Sequence, residues 1–280
     1  MNLRTNGITL NIREYRKEGT PILFLHYLGG TLDIWNKIIP SFTRNYRVLA
    51  IDLRGHGKSD QPEGGYDIDT VARDVLGVLD VLGIEQTHIV GSSYGCDVGT
   101  YLASRWPKRV LSLVNSEGGL VNHSGPGGLY EESKKEHIAK IFAEPEPEFE
   151  SQEALLQYMK ENWLPWNDAR EKSMQSYEPR KLDNGNVTFI TKQSTIKEIV
   201  ADLYDVRLQD WYKTVECPVL FLPAEIEGDL NKKLALIQEV ESDLPFCKTV
   251  IIPGSEHAMM FDHDKQMSQE ITDFLAKTSH

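Results

Sequence analysis

The sequence has few cysteines and no long apolar segment, and both shortages limit what the protein can be. Its three cysteines, Cys96, Cys217 and Cys247, form no C-x-x-C pair, which argues against a disulfide framework and a thiolate zinc site. No apolar run reaches the roughly 18 residues of a membrane-spanning helix. The first residues also lack the apolar core of a secretion signal. We therefore expect a cytoplasmic protein without a membrane partner.

Basic residues are scarce relative to acidic ones. The chain has 30 Lys and Arg against 42 Asp and Glu, which gives a net charge of −12. A surface this negative repels phosphate backbones, so we expect a small-molecule substrate rather than a nucleic acid. The metal and nucleotide motifs H-E-x-x-H, the P-loop and a helix-opening G-x-G-x-x-G are missing from the sequence. We accordingly expect no metal and no cofactor.

Short apolar runs alternate with amphipathic stretches along most of the 280 residues. Such runs are typical of strands buried on both faces of a parallel sheet, with helices in the connections. Asn6-Gly7 predicts a hairpin turn between two short N-terminal strands. A helical stripe of apolar residues predicts a helix over about 68–82, and another lies near the C-terminus. The further predicted strands are 21–26, 47–52, 88–91, 110–114, 218–222 and 249–252.

The alternation stops in the middle of the chain, where residues 119–212 contain no strong buried-strand run. This stretch is rich in Glu, Lys, Met and Trp and predicts a mainly helical insertion after the sixth strand, with a short strand near 187–190. We therefore expect a core domain formed by residues 1–118 and 213–280, and a helical cap formed by residues 119–212.

The most informative motif is G-x-S-x-G at residues 91–95, directly after a predicted strand and before a helix-compatible run. In this context the motif predicts a sharp turn that presents Ser93 as a nucleophile. Ser92 is out of register, because only Ser93 lies between the two glycines. A serine hydroxyl needs a nearby base, and the candidate is His257, in a Gly-Ser-Glu-His turn after the last predicted strand.

Four segments, 26–30, 52–59, 91–95 and 254–257, each follow a predicted strand. In this order they resemble the α/β-hydrolase superfamily over nearly the whole chain, as a capped, esterase-like member with a serine nucleophile. The resemblance implies the α/β-hydrolase fold: a mostly parallel central sheet flanked by helices, with the cap inserted after the sixth strand. It also implies the chain order Ser, acid, His for a catalytic triad.

The resemblance places the triad's acid a few residues after the strand at 218–222. Counting from that strand's proline, this position is Glu227. Glu225 and Asp229 lie two residues to either side, and Glu117 follows the strand at 110–114, where some superfamily members carry the acid. Glu227 is the favoured candidate, and the other three remain alternatives.

The resemblance further implies an oxyanion hole made by the backbone N–H groups of Leu28 and Tyr94. Tyr27 stands where relatives commonly have glycine, so its ring is expected to shape the substrate pocket. Trp163 and Trp166 of the predicted cap are the other residues proposed to bind substrate. Further apolar candidates in the cap are Leu164, Met174, Tyr177, Leu203 and Tyr204.

A serine nucleophile with a histidine base indicates acyl transfer to the serine followed by hydrolysis. The expected substrate is a small, largely apolar carboxylic ester or lactone, as for a carboxylesterase or lactonase. Two alternatives use a similar site: a carbon–carbon bond hydrolase, and a ligand receptor with slow or no turnover, since a fold does not determine a function.

Overall fold

A computed structural model describes residues 1–125, 128–163, 166–174 and 177–278, with only the backbone at 169 and 173. Eight strands form one sheet in the order β1-β2-β4-β3-β5-β6-β9-β10. Strand β2 pairs antiparallel with β1 and β4, and the other neighbours are parallel. The strands are β1 Asn2–Thr5, β2 Ile8–Glu14, β3 Thr20–Leu25, β4 Tyr46–Ile51, β5 Thr87–Ser92, β6 Val110–Ser116, β9 Val219–Leu222 and β10 Cys247–Thr249, and β7 Arg180–Lys181 pairs with β8 Val187–Thr188 in a small second sheet.

Helices connect the parallel strands and cover both faces of the large sheet. The first helix begins after Asp67, whose side chain accepts the Thr70 N–H at 2.9 Å, and ends just before Gly83, which has φ +64°. The helices are α1 Ile68–Val81, α2 Tyr94–Arg105, α3 Lys134–Ile141, α4 Gln152–Asn162, α5 Asp168–Met174, α6 Gln193–Leu203, α7 Leu208–Tyr212, α8 Leu230–Glu241 and α9 Asp264–Thr278.

The central strands are apolar on both faces because each face carries its own core. In β3, Leu23 and Leu25 pack on the side of α1 and α2, whereas Ile22 and Phe24 pack on the opposite side with Phe274 of α9. All five side chains are fully buried. Burial of each contributes about 2 kcal/mol to the free energy of unfolding, so the alternating assignment fixes the register of the sheet.

The insertion after β6 is mainly helical, as the sequence predicts. It contains α3 to α7 and the small β7–β8 sheet. Ser133 and Glu136 form a capping box at the start of α3, and Phe149 bridges Val187 of β8. Tyr204 is buried and donates its hydroxyl to the Glu132 carbonyl. These contacts order the insertion locally, while buried apolar side chains such as Leu155 and Ile199 pack into the two cores of the large sheet.

The N-terminal hairpin, the central strands and both stripe-predicted helices are confirmed. Two elements differ from the prediction. The edge strand β10 is Cys247–Thr249 rather than 249–252, and Ile252 instead forms a single bridge with Ala224. Helix α8 was not predicted, because its buried face includes Lys233 and the apolar stripe is therefore interrupted. None of the helices in the described part of the chain is long and apolar enough to cross a membrane.

Candidate active site

Ser93 occupies a strained turn between β5 and α2. Its φ of +49° and ψ of −116° are rare for a residue with a side chain, and such strain is typical of functional sites. Backbone hydrogen bonds hold the turn from both sides: Ser93 N–H donates to the Ser116 carbonyl at 3.0 Å, and Cys96 N–H donates to the Ser93 carbonyl at 2.8 Å. The fold thus fixes the position of the serine before any ligand binds.

Glycines around Ser93 are required by close backbone approach. A Cβ atom at Gly91 would lie 2.5 Å from the Gly95 carbonyl, and one at Gly118 would clash with the backbone of Ser93. A Cβ at Gly95 would clash with the carbonyl of Leu25 at the end of β3. The G-x-S-x-G motif is therefore a packing requirement here, because α2 begins directly against β3 and β5.

His257 faces a carboxylate that is already positioned by the protein. Its Nδ1 lies 3.5 Å from Oε2 of Glu117, which is fully buried, while the imidazole itself is about half exposed (49%). Glu117 has φ +57° and follows β6 directly. Since Ser92 pairs with Ser116 across the parallel strands, the next residues, Ser93 and Glu117, leave the sheet side by side.

The environment of Glu117 favours its charged form. Burial alone would raise the pKa of this carboxyl, but contacts with the imidazole of His257, the Ala224 N–H and the ammonium of Lys233 outweigh burial and lower the pKa below its usual value. The Lys233 Nζ–Glu117 Oε2 distance is 2.5 Å. Glu117 is therefore a permanent anion beside the histidine.

The other acid candidates have different contacts. Oε1 of Glu227 accepts the backbone N–H of His257 at 2.9 Å, and Oε2 of Glu225 accepts the Gly254 N–H at 2.8 Å. Oδ1 of Asp229 lies 2.7 Å from Lys233 Nζ. Two of these carboxylates thus hold the loop that carries His257 by its backbone, and the third pairs with the lysine.

Sequence reasoning missed Lys233 entirely. This residue lies on α8, is only 8% exposed, and carries its charge beside two carboxylates. The available signal was the i, i+4 spacing of Asp229 and Lys233 at the start of a helix. That spacing indicates an ion pair but not its burial, which depends on Glu117 from a distant part of the chain.

A cavity of about 270 Å³ opens beside Ser93. Both His257 and Glu117 line it, and we call it the Ser93 cavity. Its wall is mixed, with an apolar part and a polar part. The apolar side chains are Leu120, Val121, Leu129, Phe221, Pro223 and Ile237, and the others, besides Gly118 and Gly119, are Asp97, Asn115, His123, Glu227, Asp229 and Lys233.

His257 also lines a second cavity of about 210 Å³, which we call the Tyr27 cavity. Trp163 lines it, as does Tyr27, whose phenol stays neutral because burial raises its pKa to about 12. Trp166 lines neither cavity in the part of the chain described, and its indole N–H donates to Glu171. The remaining lining residues are Arg170, Met174, Glu227, Glu256 and Ala258.

The other apolar residues predicted for the pocket lie apart from Ser93. Tyr177 and Met174 line a small hollow next to Tyr27. Leu203 is buried in the core on the α1 side of the sheet, Tyr204 is also buried, and neither lines either of the two cavities. Leu164 is outside the described residues.

The expected oxyanion-hole residues lie on the two elements that meet at Gly95. Tyr94 begins α2, whose N-terminal end is electropositive. Leu28 lies in the loop after β3, where Gly30 N–H donates to the Tyr27 carbonyl at 2.9 Å and closes a turn. The contact of Gly95 with the end of β3 brings this loop close to the start of α2.

One group of side chains has the spacing of metal ligands. Ligand atoms of Glu117, Glu227 and His257 lie within 4.8 Å of one another. Both oxygens of Glu117 already face protein N–H donors, those of Ala224 and Lys233. A cation at this position would compete with these donors and would be repelled by the Lys233 ammonium, so the arrangement suits proton transfer better than metal binding.

Asp97 gives the stability of the protein a pH dependence. It is buried and accepts the Gly119 N–H at 3.0 Å, and burial raises its pKa from 3.8 to about 7 although that hydrogen bond opposes the change. As pH rises from about 4 to about 7, the unfolded chain releases this proton and the native state does not, so stability falls.

We expect Asp97→Asn to remove this loss, because the amide oxygen still accepts the Gly119 N–H. The difference in free energy of unfolding between the variant and wild type should therefore be about 2 kcal/mol larger, in favour of the variant, at about pH 8.5 than at about pH 5. Urea denaturation of both proteins at the two pH values measures the difference. An equal effect at both pH values would contradict the prediction.

Comparisons with known proteins agree with this fold. A family model described as "alpha/beta hydrolase fold" matches residues 20–141. The 2-(acetamidomethylene)succinate hydrolase of Mesorhizobium japonicum is 26% identical over 271 residues, covering 95% of this chain and 89% of the relative. A non-heme chloroperoxidase of Streptomyces lividans is 39% identical over 100 residues, which cover 35% of this chain and only 36% of the relative.

Among solved structures, that of an E-2-(acetamidomethylene)succinate hydrolase superposes with a TM-score of 0.77 at 23% identity. The match covers 99% of each chain. This similarity concerns the fold and includes the insertion between β6 and β9.

Proposed function

Because the chain belongs to the α/β-hydrolase superfamily, we propose that it is a serine hydrolase that cleaves a small carboxylic ester or lactone. One observation carries the proposal: a strained serine and a histidine paired with a buried carboxylate line the same cavity. These are the three groups that acyl transfer to a serine requires.

In the proposed mechanism Oγ of Ser93 attacks the substrate carbonyl while Nε2 of His257 accepts the hydroxyl proton. The Glu117 carboxylate faces Nδ1, so it holds the tautomer that leaves Nε2 free and stabilises the imidazolium that forms. His257 then protonates the leaving alcohol, and water hydrolyses the acyl-enzyme by the same route. The N–H groups of Leu28 and Tyr94 are proposed to bind the oxyanion, each contributing about 3 kcal/mol.

We propose Glu117 as the acid of the triad in place of Glu227. Glu117 directs a buried, charged oxygen at the imidazole, whereas the hydrogen bond that Glu227 accepts comes from the backbone of His257. A carboxylate shielded from water interacts more strongly with an imidazolium than a partly exposed one. In this assignment Glu227 positions the loop that carries His257, through its hydrogen bond with the His257 backbone.

Residues 119–212 are proposed to act as a cap over the site. Leu120, Val121 and Leu129 of this segment line the Ser93 cavity, and Trp163 and Met174 line the Tyr27 cavity. His257 lines both cavities, whereas Ser93 lines only the Ser93 cavity, so the proposal places the carbonyl of the ester in the Ser93 cavity. The modest volumes of the two cavities favour a small substrate.

The mixed wall of the Ser93 cavity also modifies the expected substrate. Asn115 and His123 lie among its apolar residues, so a compact substrate with one polar substituent fits better than a purely apolar chain. The name of the Mesorhizobium relative, 2-(acetamidomethylene)succinate hydrolase, denotes an amide substrate with carboxylate groups. Small amides therefore belong in the test beside esters and lactones.

A substrate screen tests the proposal. Wild type and Ser93→Ala are assayed on p-nitrophenyl esters of increasing acyl length, on small lactones and on secondary amides. We expect turnover of the short esters or lactones by wild type and none above background by Ser93→Ala. Tight binding of these compounds without turnover would support a receptor instead, and turnover that survives in Ser93→Ala would exclude the proposed nucleophile.

A further inference from the structure

Lys233 interacts with the same oxygen as His257. Its Nζ is 2.5 Å from Oε2 of Glu117, and Nδ1 of His257 is 3.5 Å from that oxygen. The other oxygen of Glu117 accepts the Ala224 N–H. The carboxylate is thus held at three points, and the shortest contact of Oε2 is with the lysine rather than the histidine.

The lysine itself has little freedom. It lies on α8 and is 8% exposed, and Nζ also contacts Oδ1 of Asp229 at 2.7 Å, one helical turn earlier. Burial alone would lower the pKa of the lysine, but Asp229 and Glu117 outweigh burial and raise it. A buried ammonium held between two carboxylates keeps its charge, so Glu117 has a permanent cation beside it.

We propose that Lys233 is a positioning residue: it holds the Glu117 carboxylate in place and withdraws part of its negative charge from His257. The inference rests on the proposed roles of Glu117 and His257. A carboxylate that is partly neutralised by Lys233 stabilises the imidazolium less than a free carboxylate would. His257 therefore releases its proton at a lower pH than it would without the lysine, and it acts as a base over a wider pH range.

Several other charged or titratable groups line the same cavity as His257. Their effect must be separated from that of the Lys233–Glu117 contact. These groups are Asp97 on α2, His123 in the insertion, Glu227 after β9 and Asp229 at the start of α8.

The experiment follows the imidazole of His257 by NMR titration, with its signal assigned by comparison with His257→Gln. In Lys233→Met we expect the titration midpoint to rise by about one pH unit, because Glu117 then presents its full charge to the histidine. Lys233→Arg, which keeps a cation, should stay close to wild type. Lys232→Met is the matched control from the preceding position of α8, where the ammonium donates to the Gly128 carbonyl instead.

A double variant, Lys233→Met with Asp229→Asn, separates the effect of losing the Lys233–Glu117 contact from the effect of changing the net charge of the protein. It removes one charge of each sign and leaves no unpaired charge on Asp229, while Glu117 keeps its contacts with Ala224 and His257, so we expect it to be more stable than Lys233→Met, which thermal melting checks. The proposal predicts that the upward shift persists in this protein. A wild-type midpoint in both Lys233→Met and the double variant, or in the double variant alone if the single one does not fold, would overturn it.

The pH dependence of kcat/KM on p-nitrophenyl acetate provides the second readout. The pH at which activity falls by half on the acidic side should move in the same direction as the NMR midpoint. A shifted midpoint in a protein with no Ser93-dependent turnover would refute the proposed function and leave the role of Lys233 standing. Turnover with an unshifted midpoint would refute only the role of Lys233.

Discussion

Replacing Ser93 by alanine is expected to lower kcat for ester or lactone hydrolysis by about 10⁴-fold or more, because the proposed mechanism forms the acyl-enzyme on the Ser93 hydroxyl. The fold should be unaffected, since the substitution removes one oxygen and leaves the backbone contacts of the turn to Ser116 and Cys96 in place. Initial rates on the best substrate of the screen, with thermal melting as a check on folding, measure the effect.

Ser92 offers the matched control for this prediction. It is the neighbouring serine, fully buried at the end of β5, and its hydroxyl has no hydrogen-bond partner among the described residues. Ser92→Ala should therefore retain activity within a few-fold of wild type. If Ser92→Ala were inactive and Ser93→Ala active, the register of the G-x-S-x-G turn would be misassigned.

Glu117→Gln is expected to lower kcat by about 10³–10⁴-fold, because an amide can hold the wrong tautomer of His257 and does not stabilise the imidazolium. The same substitution leaves Lys233 with one charged partner fewer, so the free energy of unfolding should fall by about 3 kcal/mol. Steady-state kinetics on folded protein, with urea denaturation of the same sample, measure both effects.

Glu227→Gln is the control for the acid assignment. The amide oxygen can still accept the backbone N–H of His257, so the loop keeps its position and activity should stay within about five-fold of wild type. A large loss in Glu227→Gln with near-normal activity in Glu117→Gln would restore Glu227 as the acid. Equal, large losses would mean that the two carboxylates act together.

The elements that the sequence predicts well are those whose pattern follows from burial. Strands such as β3 and β5 are apolar on both faces because each face carries a core, and the run of residues alone indicates this. The edge strand β10 is different, since Cys247–Thr249 is only partly buried and is less apolar than the segment that follows. Its position depends on pairing with β9, which the sequence pattern does not contain.

The same distinction applies to the site. The proposed nucleophile and base each belong to a local motif, a G-x-S-x-G turn and a Gly-Ser-Glu-His turn, and could be proposed from sequence. The acid has no comparable motif, because any carboxylate near a strand end is a candidate. What favours Glu117 is the register of β5 and β6, which places it beside Ser93, together with Lys233 from α8. Both observations depend on contacts between distant parts of the folded chain, which the sequence pattern does not contain.

Covalent labelling is the most direct test of the proposal that Ser93 is an activated nucleophile. Wild type, Ser93→Ala and Ser92→Ala are treated with a small fluorophosphonate, and intact-mass and peptide spectra are recorded. The account predicts one phosphonyl group per chain, located on Ser93, in wild type and in Ser92→Ala, and an unlabelled Ser93→Ala. Folded wild type that stays unlabelled, or carries the group on any other residue, would contradict it.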